Sequence, residues 1–385
     1  MPIMINRQLL SKLQHLAGKF PFVAITGARQ TGKSTLAEMA FPDYKKVSLE
    51  DLDMRAWATE DPRGFIDTYP DHTILDEVQR VPSLLSYLQT HADKEKKEGM
   101  YILTGSQNMV LMQSIDQSLA GRVALLSLMP FSHSELRSAS LMKESVNEAI
   151  FTGCFPRIYD KDISPVDYYP NYIKTYVQRD VRELRDIGNL STFNKFIKLC
   201  AGRIGQLLNK SSLAIECGVT VPTIDAWLSI LETSSIIYCL RPDYNNFSKR
   251  LVKTPKLYFC DTGLACSLLE IKDASQLETH YMRGNLFENM IVTEFLKDAF
   301  NKGEEPALTF WRDSSGHEVD LLQSINGLQN AYEIKSGATF STEYFKGVNY
   351  WAGLSGAPVG CRHVVYGGTQ TMQRSEGKVI SWRDL

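Results

Sequence analysis

Short apolar runs alternate with longer amphipathic stretches along this 385-residue chain. Phe22-Val23-Ala24-Ile25, the Ile74-Leu75 pair after Thr73, and Met100-Tyr101-Ile102-Leu103 are apolar runs of strand length that end in polar or glycine-bearing segments. Runs of this kind predict strands buried on both faces, as in a parallel sheet. A helix-like Thr35-Leu36-Ala37-Glu38-Met39 follows the first, so strand, loop and helix come in that order. From Asp167 to Leu208 the period becomes helical, with Tyr172, Tyr176, Val177, Val181 and Leu184 at helical steps. Leu213 to Glu232 reads as two helices joined by Cys217-Gly218-Val219. Thr220 caps the second, Pro222 sits in its first turn, and Ile224, Leu228 and Leu231 form its buried face. Strands are expected over Ser235–Leu240 and Lys256–Cys260. Further on, a helix with Ile291, Val292, Phe295 and Leu296 on its apolar side precedes two strands, around Asp320 and Glu333, joined by a turn at Asn326-Gly327.

The expected fold class is α/β. A parallel sheet with helices on both faces is followed by a winged helix and a small α/β domain. The expected divisions are 1–150, a helical connector over 151–208, the winged helix over 209–268, and 269–385. The length suits several domains.

The loop after the first strand carries the sharpest chemical signal. Gly27-Ala28-Arg29-Gln30-Thr31-Gly32-Lys33-Ser34 is a complete G-x-x-x-x-G-K-[ST] phosphate-binding loop, and the strand before it and the helix after it give it the context a chance match lacks. Gly27, Ala28, Arg29, Gln30, Thr31, Gly32, Lys33, Ser34 and Thr35 are expected to hold ATP. Backbone N–H groups form the nest for its phosphates, and the helix start adds its positive end. Lys33 is placed for the β- and γ-phosphates, and Ser34 for Mg²⁺. Asp76, ending the Thr73–Glu77 strand, is the expected metal-side carboxylate. Glu77 is expected to orient or deprotonate the attacking water, which favours hydrolysis over transfer. Ser106 and Gln107 follow the next strand and are candidates for sensing the γ-phosphate or placing the water; a plain polar turn is the alternative. Arg122 is the candidate for completing charge neutralisation in the transition state, which would require a homo-oligomer if it acts in trans. A surface arginine in a salt bridge fits its position equally well.

Together with Leu103-Thr104-Gly105-Ser106, Ser118-Leu119-Ala120-Gly121-Arg122 and Tyr176-Val177-Gln178-Arg179-Asp180-Val181, these motifs make the chain resemble a prokaryotic AAA+-superfamily ATPase fused to a C-terminal domain of the PD-(D/E)xK nuclease superfamily. The Arg-Gln-x-Gly-Lys loop and the Leu-Ala-Gly-Arg box are fairly specific to this group. The resemblance implies an AAA+-type ATPase architecture and leaves the biology open. Arg179-Asp180 fits a shared motif of the group, as a buried brace or as a catalytic pair. One departure is Gly153-Cys154-Phe155-Pro156, where similar proteins usually carry two glycines before the aromatic-proline pair.

The nuclease-like constellation is Glu288 on a helix, Asp320 on a strand, and Glu333-x-Lys335 on the next strand. Residues two apart on a strand share a face, so Glu333 and Lys335 emerge together. Glu288, Asp320 and Glu333 would make a hard oxygen site for Mg²⁺ or Mn²⁺, with Lys335 lowering the pKa of the bound water or neutralising the transition state. The alternative is a nuclease-like fold kept for packing.

Composition narrows the setting. The net charge of −2 shows no bulk basic excess of the kind a dedicated nucleic-acid binder carries. The second helix of the predicted pair presents Thr223, Asp225, Ser229 and Glu232, a poor surface for base edges. Lys249, Arg250 and Lys253 in the loop between the two strands make a basic wing that suits phosphate. DNA is therefore a candidate partner through the wing rather than through the helix. Seven scattered cysteines without C-x-x-C point to reduced thiols in the cytoplasm and away from zinc. No run approaches the ~18 apolar residues of a membrane span. The amphipathic opening, with Leu9, Leu10, Leu13 and Leu16 among Arg7, Lys12 and Lys19, does not read as a signal peptide. Two function classes remain. One is an ATP-hydrolysing switch or motor driving a winged-helix and nuclease-like effector on DNA. The other is a nucleotide-dependent signalling or binding module whose C-terminal domain recognises a partner without cutting it. A small-molecule kinase leaves Glu77 and the C-terminal half unexplained.

Overall fold

The computed structural model describes residues 5–105, 115, 117–177, 190–243 and 252–385. Ser106, Gln107, Arg179, Asp180, Lys249 and Arg250 lie outside the described residues.

The first unit is a five-stranded parallel sheet of β1 (Phe22–Thr26), β2 (Lys45–Ser48), β3 (Thr73–Asp76), β4 (Tyr101–Thr104) and β5 (Val123–Ser127), in the order β2-β3-β4-β1-β5. This arrangement is typical of P-loop NTPases. Alternation along each strand divides the core. Phe22, Ala24, Leu75, Tyr101 and Leu103 pack on one face, and Val23, Ile25, Ile74 and Ile102 on the other. Both faces are covered, which is why the strands read as continuous apolar runs. The register aligns Ile25 and Asp76 with Thr104, so the loop after β1 and the ends of β3 and β4 meet at one edge.

A helical middle follows. Helix Pro165–Tyr172 continues into a π-helical turn, Ile173–Val177, and Leu190–Ala201 leads to the predicted helix pair, Lys210–Cys217 and Val221–Thr233. Their axes bend by 106°, with Gly218 at the turn and the Thr220 side chain accepting from the Thr223 N–H at 3.3 Å. Ile224, Leu228 and Leu231 are buried as the spacing predicts. Asp225 on the outer side pairs with Lys210 at 2.6 Å. The antiparallel hairpin β6 (Ile237–Leu240) and β7 (Lys256–Phe259) completes this part, so both strands are a little shorter than expected.

The C-terminal unit is a mixed six-stranded sheet of β8 (Leu308–Arg312), β9 (Glu318–Ile325), β10 (Leu328–Lys335), β11 (Arg362–Tyr366), β12 (Met372–Gln373) and β13 (Lys378–Ser381), in the order β12-β13-β11-β10-β9-β8. Asn326 and Gly327 turn the chain between β9 and β10 with φ of 50° and 78°, a two-residue hairpin turn as their sequence predicts. Helix Arg283–Asn301 covers one face, with Phe295 against Tyr332 at 4.6 Å, and helix Lys346–Ser355 covers the other through Val348 and Trp351.

Besides the clusters on the faces of each sheet, a further apolar core joins the units. One cluster runs from Ala28 and Met129 through Tyr169, Trp227 and Phe259 to Phe287, Phe310 and Trp382. The turn at Gly153-Cys154 sits inside this joint. Gly153 has φ 65°, and a Cβ there would meet the Tyr169 hydroxyl at 2.1 Å and the Asp261 carboxylate at 2.5 Å. Asp261 uses one oxygen to cap helix Thr262–Leu268 and the other to accept from the Cys154 N–H at 2.7 Å. The close approach therefore falls on Gly153, and Cys154 packs with Ile5, Phe131 and Leu136. All seven cysteines are unpaired. Among the described residues, no single helix is long and apolar enough to cross a membrane. Gly153→Ala is expected to destabilise the protein by roughly 1–3 kcal/mol in urea unfolding, the usual cost of overpacking. An unchanged midpoint would show that the joint relaxes freely around a methyl group.

Candidate functional site

Two constellations arise at the edges of the two sheets. The first is the loop of residues 27–34. Gly27 passes so close to β5 that a Cβ would lie 2.2 Å from the Leu128 carbonyl oxygen. Gln30 takes a left-handed φ of 62°, and Gly32, with φ 90°, precedes helix Lys33–Ala40. Successive amides thus curve toward one point at a helix start, the arrangement that binds phosphate. Lys33 is buried and donates to the carbonyls of Gly27 and Ala28 at 3.2 and 2.8 Å, so its ammonium is seated on the loop. Thr35 is exposed on the helix beyond.

Asp76 at the end of β3 accepts from Ser34 Oγ at 2.6 Å and from the Thr104 hydroxyl. Two hard oxygens, Ser34 Oγ and Asp76 Oδ1, so lie side by side beside the phosphate nest. That donor set fits Mg²⁺, which on binding neutralises phosphate charge. Glu77 follows with φ 56°, strained backbone for a residue with a side chain and a mark of functional positions. Burial pushes the Glu77 carboxyl upward, opposed by Lys33 and Arg29, and Gln79 donates to it. A half-buried carboxyl with raised proton affinity beside the loop suits a group that holds or takes a proton from water.

The loop is also gripped from outside. Arg7 donates to Thr31 O at 2.9 Å and to Met129 O at 2.6 Å, and pairs with Glu135 at 3.0 Å, both side chains almost wholly buried. Three tyrosines one helical turn apart reach it from the other side. Tyr168 donates to Gln30 Oε1 at 3.0 Å, Tyr172 to Arg29 O at 3.4 Å, and Tyr176 accepts from Gln30 Nε2 at 2.8 Å. The Arg29 guanidinium lies 5.7 Å from the Tyr176 ring. Sequence reasoning noted Tyr172 as helical periodicity and Tyr176 as periodicity and part of a shared motif, and missed both, with Arg7, Glu135, Thr104 and Tyr168, as partners of the site. The register of β3 with β4, both legible as strands, was the available pointer to Thr104.

Arg122 lies elsewhere. It makes two bonds to Asp93, at 2.6 and 2.9 Å, and its carbonyl accepts from Phe22 N at the start of β1. That is the amino end of the sheet, roughly 15 Å from the loop at ~3.3 Å per residue. Within its own chain it is the surface salt-bridge arginine.

The second constellation brings Glu288, Asp320, Glu333 and Lys335 together as the spacing predicts. Asp320 Oδ2 accepts from Ile334 N at 2.8 Å and lies 3.7 Å from Lys335, which bonds Glu333. Three further residues, to which the sequence reading gave no role at this site, complete it. Lys256 of β7, 2% exposed, pairs with Glu288 at 2.9 Å, with Glu318, and with Asp320 at 3.8 Å. Arg312 pairs with Glu318 at 2.9 Å. Burial opposes the Lys256 charge, but the carboxylates around it, Glu288, Asp320 and Glu318, outweigh burial and hold the ammonium charged. Burial, then Asp320, pushes the Glu333 carboxyl up to about 8. Four carboxylates are thus faced by three cations. A divalent ion would be repelled by the ammonium that already bonds Glu288 and lies 3.8 Å from Asp320, two of its three expected ligands, so these residues do not fit a metal as they stand.

A third buried group, His133, Cys154 and Glu294, lies within 4.8 Å. The Lys297 ammonium, 2.7 Å from Glu294, again stands where a cation would.

Residues 19–137 match the family model described as AAA domain, and residues 143–275 and 283–385 match two domains of unknown function, DUF8612 and DUF4143. The chain carries an AAA-type P-loop ATPase domain. Uncharacterized proteins of Mycobacterium tuberculosis and Mycobacterium bovis are each 26% identical over 337 residues, 87% of this chain and 74% of theirs. Among solved structures, a Walker-type ATPase of Pyrococcus abyssi is similar over 69% of this chain and 96% of its own, at 15% identity and a TM-score of 0.45. The AMPPCP-bound DnaA of Aquifex aeolicus is similar over 58% and 85%, at 16% identity and a TM-score of 0.30. An AAA domain implies ATP with Mg²⁺ as its ligands.

Because Glu135 also accepts from the Ser132 and Gln8 amides at 2.9 Å, its removal strands several buried donors. Glu135→Ala is expected to cost about 3–5 kcal/mol, the range for breaking a buried ion pair. Chemical unfolding checks it, and a loss near that of a surface pair would refute the role assigned to Arg7.

Proposed function

We propose that this protein is an ATP-hydrolysing switch whose nucleotide state governs the helical middle and the C-terminal unit. The observation that carries the reading is the Lys33, Ser34, Asp76 and Glu77 arrangement at the carboxyl edge of the sheet. The nest and Lys33 bind the triphosphate, Ser34 and Asp76 hold Mg²⁺, and Glu77 orients the attacking water and takes its proton. Phosphate leaves and ADP remains in the nest. Coupling to the rest of the chain is supported by the tyrosine contacts, since Gln30 and Arg29 of the loop are bonded to a helix of the middle unit. Any change in loop curvature on hydrolysis is therefore felt at Tyr168, Tyr172 and Tyr176.

For the C-terminal half, two readings carry forward. Action on DNA is supported by the helix-turn-helix and hairpin shape and by the Glu288, Asp320, Glu333 and Lys335 set. Recognition of a partner without cleavage is supported by the Asp225–Lys210 pair on the outer helix face and by the lysine among the carboxylates. The second is the reading the geometry favours. Arg122 takes part in hydrolysis only in a homo-oligomer, where it would be offered to a neighbour's nucleotide.

Lys33→Ala is expected to abolish phosphate release, and Glu77→Gln to retain bound ATP while turnover falls about a hundredfold or more. Turnover at the wild-type rate in both would overturn the ATPase reading. Tyr176→Phe removes one acceptor from Gln30, so the loop must be ordered on binding. ATP affinity is expected to drop about fivefold, from the ~1 kcal/mol of one hydrogen bond. Unchanged affinity by fluorescent-nucleotide titration would remove the tyrosines from the coupling route.

A further inference from the structure

Lys256 belongs to β7, outside the C-terminal sheet, yet its side chain ends among carboxylates of that sheet and its covering helix. Its ammonium bonds Glu288 of helix Arg283–Asn301 and Glu318 of β9, and lies 3.8 Å from Asp320 of β9. The Phe310 ring, 5.5 Å away, covers it, and Tyr258, two residues along β7, donates to the same Glu288 oxygen at 2.5 Å. The strand itself is held on its outer side, where Leu208 N donates to Pro255 O at 2.9 Å and Gly205 N to Leu257 O at 2.8 Å. The backbone under Lys256 is therefore held in place, and its side chain, 3% exposed, is packed with the ammonium inside the cluster.

We infer that Lys256 is the resident cation of the C-terminal carboxylate cluster, standing in place of a divalent ion, so that the cluster is a metal-free lock between the hairpin and the C-terminal unit. The chemistry is one of exclusion. A divalent ion would need the Glu288 and Asp320 oxygens at ~2.0–2.6 Å, and the ammonium already occupies the space that those oxygens face. Occupation by metal and the present seat of the Lys256 ammonium are mutually exclusive states. By linkage, whatever withdraws the hairpin would raise the affinity of the cluster for a divalent ion. The inference rests on grouping Glu288, Asp320 and Glu333 as one cluster. It stands or falls independently of ATP hydrolysis, which Lys33→Ala tests separately.

The test is Mn²⁺ titration of the nucleotide-free full chain, followed by electron paramagnetic resonance, on the wild type, Asp320→Asn, Lys256→Gln and the double variant. The wild type and Asp320→Asn are expected to bind the same amount of Mn²⁺. Lys256→Gln is expected to gain one ion with at least about tenfold higher affinity, as removal of a like charge at contact distance implies, and the double variant to lose it again. Wild-type binding that Asp320→Asn abolishes would overturn the inference, as would a folded Lys256→Gln that gains no ion. If Lys256→Gln does not fold, the comparison of the wild type with Asp320→Asn decides, because it leaves the lysine untouched.

Discussion

The structure depends on the curvature of one loop. The residues from Gly27 to Lys33 must aim their amides at a single point, a conformation that costs backbone entropy and offers few internal hydrogen bonds in return. The fold supplies the missing restraint from three sides. Lys33 closes the loop on its own carbonyls, Arg7 holds Thr31 from behind, and the tyrosine helix holds Arg29 and Gln30 from the front. Because two of these three supports come from elsewhere in the chain, the phosphate nest is shared property of the ATPase sheet and the unit that follows it. This gives a physical basis for the proposed coupling between nucleotide state and the helical middle, and it needs no long relay.

The other joints follow a common electrostatic pattern. Arg7 with Glu135 and Lys297 with Glu294 are buried pairs, and Lys256 is a buried cation facing Asp320 and the half-buried Glu288 and Glu318. Arg7 and Lys256 each meet carboxylates far along the chain, and Glu294 also accepts from the His133 amide at 2.7 Å. Such pairs contribute little net stability compared with an apolar interface, but pulling one partner away leaves an uncompensated charge. They therefore fix how the units sit more than how strongly they adhere. The continuous apolar core that runs alongside them supplies the adhesion. The Lys256 cluster belongs to this set, and its resemblance to a catalytic centre is a matter of which carboxylates share the space rather than of what they hold.

Much of this was legible in the residues themselves. Alternation and apolar runs gave the β1, β3 and β4 strands, the Asn326-Gly327 turn, and the helix pair around Gly218, because those elements are set by local period and turn chemistry. The nest was legible for the same reason, since its spacing is a property of consecutive backbone units. Asp76 and Glu77 followed from the strand that carries them, and Asp320, Glu333 and Lys335 converge where the strand period and the hairpin turn place them.

What the sequence could not disclose was which distant charge would arrive beside each local motif. Lys256 reads as an ordinary lysine at the start of an apolar strand, and Arg7 as one of several cations in an amphipathic opening. Arg122, beside a motif that invites a catalytic role, is carried by the sheet to the opposite end from the loop. The exact point of close packing at Gly153 rather than Cys154 was likewise decided by Tyr169 and Asp261. The residues alone determined the local shapes, because those depend on neighbours within a few positions. Only the tertiary structure decided the company each charge keeps, because Coulomb interactions and burial depend on distance in space, and chain order carries no record of that.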